Sequence, residues 1–211
     1  MIIKVKSLEH HDFYIRYRVH TENIKNVPDS LQEYLSGIFD YIPKELFVHP
    51  ENPGCSGMRM PIGIEAREFP DHPIIGMAQK SRTHVKFKSR HENLQQWFLL
   101  NDQQAIVAEL PVWMDEKESK EHLNLCFPLT GHIDLLRYDG LKVEIWDYKP
   151  NAKKEKWAKT QVYFYALLLS LRTRIPLDKI VCGYFDESTA YTFRPPQQCA
   201  AIAQQYNEMV K

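Results

Sequence analysis

Two carboxylates and a lysine in the second half of the chain have the types and spacing to do chemistry. Asp147 and Lys149 end the run Val143-Glu144-Ile145-Trp146-Asp147-Tyr148-Lys149, which reads as a strand. Side chains alternate along a strand, so these two point to the same face. Asp134 closes Gly131-His132-Ile133-Asp134 on the preceding strand. A tight Asp139-Gly140 turn can carry it to the same end of the sheet. Two carboxylates converging on one point make a hard-oxygen site suited to Mg²⁺ or Mn²⁺. A lysine beside that site can hold a water and stabilise charge on a phosphate. Asp and Lys also flank many strand ends merely as solubilising residues, so D-x-K by itself decides little. Gln161 and Tyr165 add weight, because they follow at i, i+4 on a long apolar helix and share one of its faces.

The elements that must position these residues are clearest beyond residue 80. Ser89 to Glu92 has the spacing of a capping box ahead of Leu94, Trp97 and Phe98, which predicts a helix ending near Asn101. Residues 105–113 read as a strand, and the charged stretch 115–121 as a solvated turn. Residues 129–138 and 141–149 make a hairpin around Asp139-Gly140. A buried helix over 154–171, a second hairpin around Asp186-Glu187-Ser188-Thr189 and an amphipathic helix over 197–210 complete the order. That order is an α+β (α/β) arrangement, a mixed central sheet flanked by helices. Residues 1–79 read as a loop-rich and helical appendage, and 80–211 as the core. Within the first part, 2–5 reads as a strand, 11–19 as strand or helix, and 30–39 as a short helix. Residues 43–73 are rich in proline and glycine.

Composition excludes several classes. The chain has 211 residues, 44% hydrophobic and 26% charged, enough for a sizeable core. Lys+Arg and Asp+Glu are 27 each, so any attraction to nucleic acid must be local. The longest apolar run, near 166–169, is far too short to cross a bilayer. No signal-peptide pattern opens the sequence, and the expected location is cytoplasmic. Cys55, Cys126, Cys182 and Cys199 form no C-x-x-C pair and read as free thiols.

An upstream histidine, G-x-x-D, D-x-K and Q-x-x-x-Y stand here as His91 or His84, Gly131 to Asp134, Asp147 to Lys149, and Gln161 to Tyr165. In that order they resemble the RecB-like branch of the PD-(D/E)XK nuclease superfamily, over about residues 80–185. The resemblance implies a restriction-endonuclease-like core and Mg²⁺- or Mn²⁺-dependent hydrolysis of phosphodiester bonds in DNA, exonuclease-like, in repair, recombination or defence. It implies metal ligation by Asp134, Asp147 and the backbone carbonyl of Tyr148, with His91 as the favoured histidine. Lys149 would position the attacking water, and Gln161 and Tyr165 would support the site or touch the DNA backbone. Many relatives carry a glutamate where Glu109 stands, although an ordinary solvent-facing strand residue reads equally well there. His84 lies in an alternating stretch, 83–88, that reads as a strand. The related CRISPR-associated RecB-like exonucleases hold an iron–sulfur cluster on four cysteines. The cysteine spacing here lacks that pattern, so no cluster is expected.

Two cation clusters flank the proposed site. One is Lys80, Arg82, Lys86, Lys88 and Arg90. The other is Lys153, Lys154, Lys156 and Lys159, with Trp157 among them. Cations with an aromatic suit single-stranded, end or branched DNA, and equally describe a solvated face. A non-catalytic nucleic-acid-binding module with the nuclease fold is the alternative reading, and a small interaction protein with a chance motif a third.

Overall fold

The register of β4 (Ala105–Met114) is set by β5 (Leu129–Tyr138), with Ile106 and Glu109 left out of the pairing, and β5 in turn sets β6 (Val143–Tyr148) through the Asp139-Gly140 turn. Asp139 Oδ1 accepts from the N–H of Leu141 and of Lys142, and Gly140 takes a φ of 96° that an L side chain rarely adopts. The computed structural model describes residues 2–10, 13–49 and 51–197. In chain order, the elements ahead of β4 are β1 (Ile3–His10), β2 (Phe13–His20), α1 (Asp29–Gly37) and α2 (Lys44–Val48). Then come β3 (Arg67–Glu68), α3 (Pro73–Lys80) and α4 (Arg90–Asn101). After β4 lies α5 (Glu116–Leu123), and after β6 come α6 (Ala158–Thr173), β7 (Ile180–Phe185) and β8 (Ala190–Phe193).

The eight strands form one sheet in the order β1-β2-β4-β5-β6-β7-β8-β3. The β4-β5-β6 meander is antiparallel, and β7 returns parallel to β6 after the α6 crossover. This is the mixed sheet flanked by helices that the sequence predicts. Within the ambiguous stretch 11–19, the described residues from Phe13 on belong to the strand β2, and its pairing with β4 adds the β1–β2 hairpin to the same sheet.

The two faces are covered differently. Leu94, Phe98 and Leu99 of α4 pack with Trp146 and Phe185 on one face. Val162, Tyr163 and Leu169 of α6 pack with Ile145 and Cys182 on the other. Ile145 and Trp146 are neighbours in β6 and point to opposite sides, so the site-bearing helices α4 and α6 clasp the sheet from opposite faces. No helix among the described residues is long and apolar enough to cross a membrane.

Some expectations need correction. The stretch 115–121 is helical, not a turn. Asp115 accepts from Glu118 N at 2.8 Å, and the Glu118 carboxylate accepts from Asp115 N at 3.0 Å, a complete capping box. At Ser89 only half of that device forms, because the Glu92 carboxylate pairs with arginines of β2 instead. Residues 83–88 are not a strand. A 3-10 turn over Ser81–Thr83 leads into irregular backbone. The buried helix begins at Ala158 rather than Lys154, after a 3-10 turn over Ala152–Lys154. The expected helix over 197–210 lies, beyond residue 197, outside the described residues, as does Cys199. Cys55, Cys126 and Cys182 are free thiols.

Candidate metal centre

The ladder between β5 and β6 stops at the pair Leu135 and Trp146. One residue further, where the strands part, Asp134 and Asp147 face each other across the gap. The N–H of Tyr148 donates to Asp134 Oδ2 at 2.9 Å in place of a ladder bond. On the other side of Asp134 stands Glu109, between the paired Ala108 and Leu110 of β4. Three carboxylates therefore lie in a row across three neighbouring strands. Glu109 has a φ of 56°, a left-handed backbone uncommon for a glutamate inside a strand. Strand alternation breaks there: Ala108 packs on the α4 side and Leu110 on the α6 side, although they are two apart.

The helix α4 delivers the fourth member. His91 Nε2 is 2.9 Å from Asp134 Oδ2 and 3.9 Å from Glu109 Oε1. Ligand atoms of His91, Glu109 and Asp134 all lie within 4.8 Å of one another. One turn on, Gln95 Nε2 donates to Glu109 Oε1 at 2.6 Å and orients it. From the opposite face, α6 presents Gln161, whose Nε2 is 3.4 Å from Asp147 Oδ1 and 2.6 Å from Tyr165 Oη. Lys149 Nζ is 2.8 Å from Asp147 Oδ2. The structure thus brings together His91, Asp134, Asp147, Lys149, Gln161 and Tyr165, with the backbone of Tyr148 alongside. His84 is outside this group and lines the adjacent cavity.

Gly131 has a steric role. A Cβ placed on it would lie 2.5 Å from Tyr165 Cε1 and 3.1 Å from Cys55 Sγ. The bare backbone is what lets the Tyr165 ring lie against β5 and hold Gln161.

Charge crowding sets the protonation states. Burial, then the Asp134 charge, push Asp147 up to about 7. The same two causes push Glu109 up to about 7, against His91 and the Gln95 hydrogen bond. Asp134 goes the other way: burial opposes its charge, but His91, Lys149 and the Tyr148 N–H hold it below the usual carboxylate value. Burial also works against a charged His91, yet Asp134, Glu109 and Asp147 raise it to about 9. Lys149 stays a cation, since Asp147 and Asp134 outweigh its burial.

A divalent cation fits this donor set. His91 Nε2 and Asp147 Oδ2 are buried and have no aligned hydrogen bond, although each has a charged neighbour within 3 Å. Both atoms are thus left with bonding capacity that a cation could take up, once His91 has given up its proton. Carboxylate oxygens, an imidazole nitrogen and a peptide carbonyl are hard or borderline donors.

Glu109 was legible only as an even choice, and Gln95 was missed, although its i+4 spacing from His91 on α4 marks it. The Arg16 and Arg18 contacts to Glu92 had no local signal, since the partners are more than seventy residues apart.

A family model of the PD-(D/E)XK nuclease superfamily matches residues 64–208, and the chain belongs to that superfamily. No curated protein matches it. A solved structure titled "Crystal structure of SSO0001" is similar at 12% identity and a TM-score of 0.43, over 86% of this chain and 83% of that one.

Proposed function

We propose that the chain is a DNA nuclease of the RecB-like branch, using Mg²⁺ or Mn²⁺ and acting exonuclease-like on single-stranded, end or branched DNA. The observation that carries this reading is the meeting of His91, Glu109 and Asp134 within 4.8 Å, with Asp147 and the Lys149 ammonium beside them. Asp134, Asp147, His91 and the Tyr148 carbonyl would hold the ion, with Glu109 as a further carboxylate. A bound divalent ion supplies positive charge at the phosphate and lowers the pKa of water. Lys149, kept charged by its two carboxylate neighbours, donates to the attacking water or to a phosphate oxygen. Gln161 fixes the Asp147 carboxylate and Tyr165 fixes Gln161, so the acid cannot turn away from the gap. Gln95 does the same for Glu109.

The test is incubation with labelled linear, circular, single-stranded and branched DNA in Mg²⁺ and in Mn²⁺. Cleavage is expected with either ion, is abolished by a chelator, and is lost in Asp134→Asn and Asp147→Asn while the fold persists. Full activity in a chelator refutes the reading. Circular DNA cut as fast as linear refutes end-directed action. Tight DNA binding with no cleavage under any metal supports a binding module instead.

A further inference from the structure

Three consecutive residues of α4 reach three different places. His91 goes to the metal cluster. Glu92 takes Arg18 Nη2 at 2.8 Å and Arg16 Nη1 at 3.2 Å, tying the helix to β2. Asn93, buried, grips the preceding loop by its backbone: Phe87 N donates to Asn93 Oδ1 at 2.7 Å, and Asn93 Nδ2 donates to Phe87 O at 2.7 Å and to Ser89 O at 2.9 Å. The backbone at Phe87 is therefore held in place, while the residue stays only half-buried.

Cations surround that ring. Arg18 Cζ lies 5.2 Å from its centroid, Lys86 Nζ 5.7 Å and Arg16 Cζ 5.8 Å. The ring also forms the wall shared by two cavities. One, of about 730 Å³, is lined by Arg82, Val85 and Lys88 and ends at Tyr148 and Pro150, the neighbours of Lys149. The other, of about 740 Å³, is lined by Val5, Arg16, Lys86 and Leu100. Six cations line them, Arg16, Arg18, Arg82, Lys86, Lys88 and Arg90, against two acids, Asp186 and Glu187. Arg82 and Arg90 pair with Glu187, and Arg16 and Arg18 with Glu92 behind them, which leaves Lys86 and Lys88 as the cations without an acid partner among the described residues. Exposed apolar side chains, Val85, Val5 and Leu100, lie among them. A path that is cationic, partly apolar and interrupted by an aromatic on a backbone held in place matches the chemistry of a strand with unpaired bases. Its phosphates want cations and its base faces want a π surface. A duplex offers no free base face to such a ring.

We propose that an unpaired nucleic-acid strand runs to the metal centre across Phe87, one base stacked on that ring and the flanking phosphates neutralised by Lys86 and Lys88. The β1–β2 hairpin, which precedes the stretch matched to the superfamily, supplies Arg16 and Arg18 to this path. The inference rests on the reading of nucleic acid as substrate, and it concerns the approach rather than the chemistry.

The experiment is fluorescence anisotropy of a labelled oligothymidylate and of a duplex of equal length, with the full chain in chelator so that nothing is cut. Phe87→Leu keeps an apolar side chain but removes the π face. It is expected to weaken oligothymidylate binding about tenfold, in the range of one base–aromatic stack. Phe87→Tyr, which keeps the π face, is expected to bind like the unaltered chain, and duplex affinity is expected not to respond to either change. Lys86→Ala with Lys88→Ala is expected to flatten the slope of log affinity against log salt by about 1.4, two single-strand phosphates. Undiminished binding by Phe87→Leu overturns the proposal. So does an equal loss on duplex, or a wild-type chain that binds the oligonucleotide no better than the duplex. Cleavage with Mn²⁺ is scored separately. A chain that cuts DNA but ignores Phe87 refutes this path alone. One that binds through Phe87 but cuts nothing refutes the nuclease reading and leaves the path standing.

Discussion

Replacing Gly131 with alanine tests whether the glycine of G-x-x-D exists to admit the tyrosine of Q-x-x-x-Y. The added Cβ would sit 2.5 Å from Tyr165 Cε1, 2.9 Å from Cδ1 and 3.1 Å from Cys55 Sγ. Comfortable carbon contacts begin near about 3.5 Å, so the ring must retreat by about 1 Å. Tyr165 is 4% exposed and Cys55 1% exposed, so both are walled in and retreat moves packed neighbours. Overpacking of this kind costs about 1–3 kcal/mol. In a chain of this length that lowers Tm by about 2–12 °C. The retreat also draws Tyr165 Oη away from Gln161, 2.6 Å off, and so loosens the contact to Asp147. Turnover should fall together with Tm. The decisive assay is a double-mutant cycle in denaturant with Tyr165→Ala, which removes the ring. In that background Gly131→Ala should cost less than about 1 kcal/mol, because the space it needs is open. Strictly additive costs refute the clash.

Lys149→Ala is expected to cut turnover at least about a hundredfold, as for loss of one preorganised charged donor, with much smaller change in DNA affinity. Normal turnover with weak binding would make the lysine a phosphate clamp only. His91→Ala should raise the metal concentration needed for half-maximal cleavage, whereas His84→Ala should not; the reverse pattern in a Mn²⁺ titration moves the first-motif histidine to His84. Mn²⁺ affinity, measured by calorimetry, should rise between pH 6 and pH 8. Glu109 and Asp147, both pushed to about 7, shed protons across that window and His91, raised to about 9, must give one up to ligate. A flat profile, with no proton release across buffers of different ionisation enthalpy, contradicts that assignment.

Local signals carried most of the core. Asp139-Gly140 fixes a hairpin because Gly140 needs a positive φ, and the hairpin fixes where Asp134 meets Asp147. Period two puts Lys149 beside Asp147, and period 3.6 puts Gln161 beside Tyr165. What escaped depends on distance or on backbone. The helix α5 was hidden by its charge, although Asp115 and Glu118 spell out its cap. The start of α6 was placed too early because the lysines of 153–156 are good helix formers, and nothing local shows the 3-10 turn at Ala152. That Arg18 would be buried against Glu92, or that the backbone at Glu109 would turn left-handed opposite Asp134, depends on contacts between remote segments.

The left-handed residue at Glu109 has an evolutionary consequence. Its backbone strain and its charge, crowded against Asp134, are both relieved by Gly or Asn, which accept a positive φ and carry no carboxylate. A stabilising change is therefore open at one of the residues of the candidate metal centre. A library screened for heat resistance alone would enrich changes at Glu109 and return well-folded proteins with the acid row broken. Only a selection that also requires bound metal or cut DNA would keep that row intact.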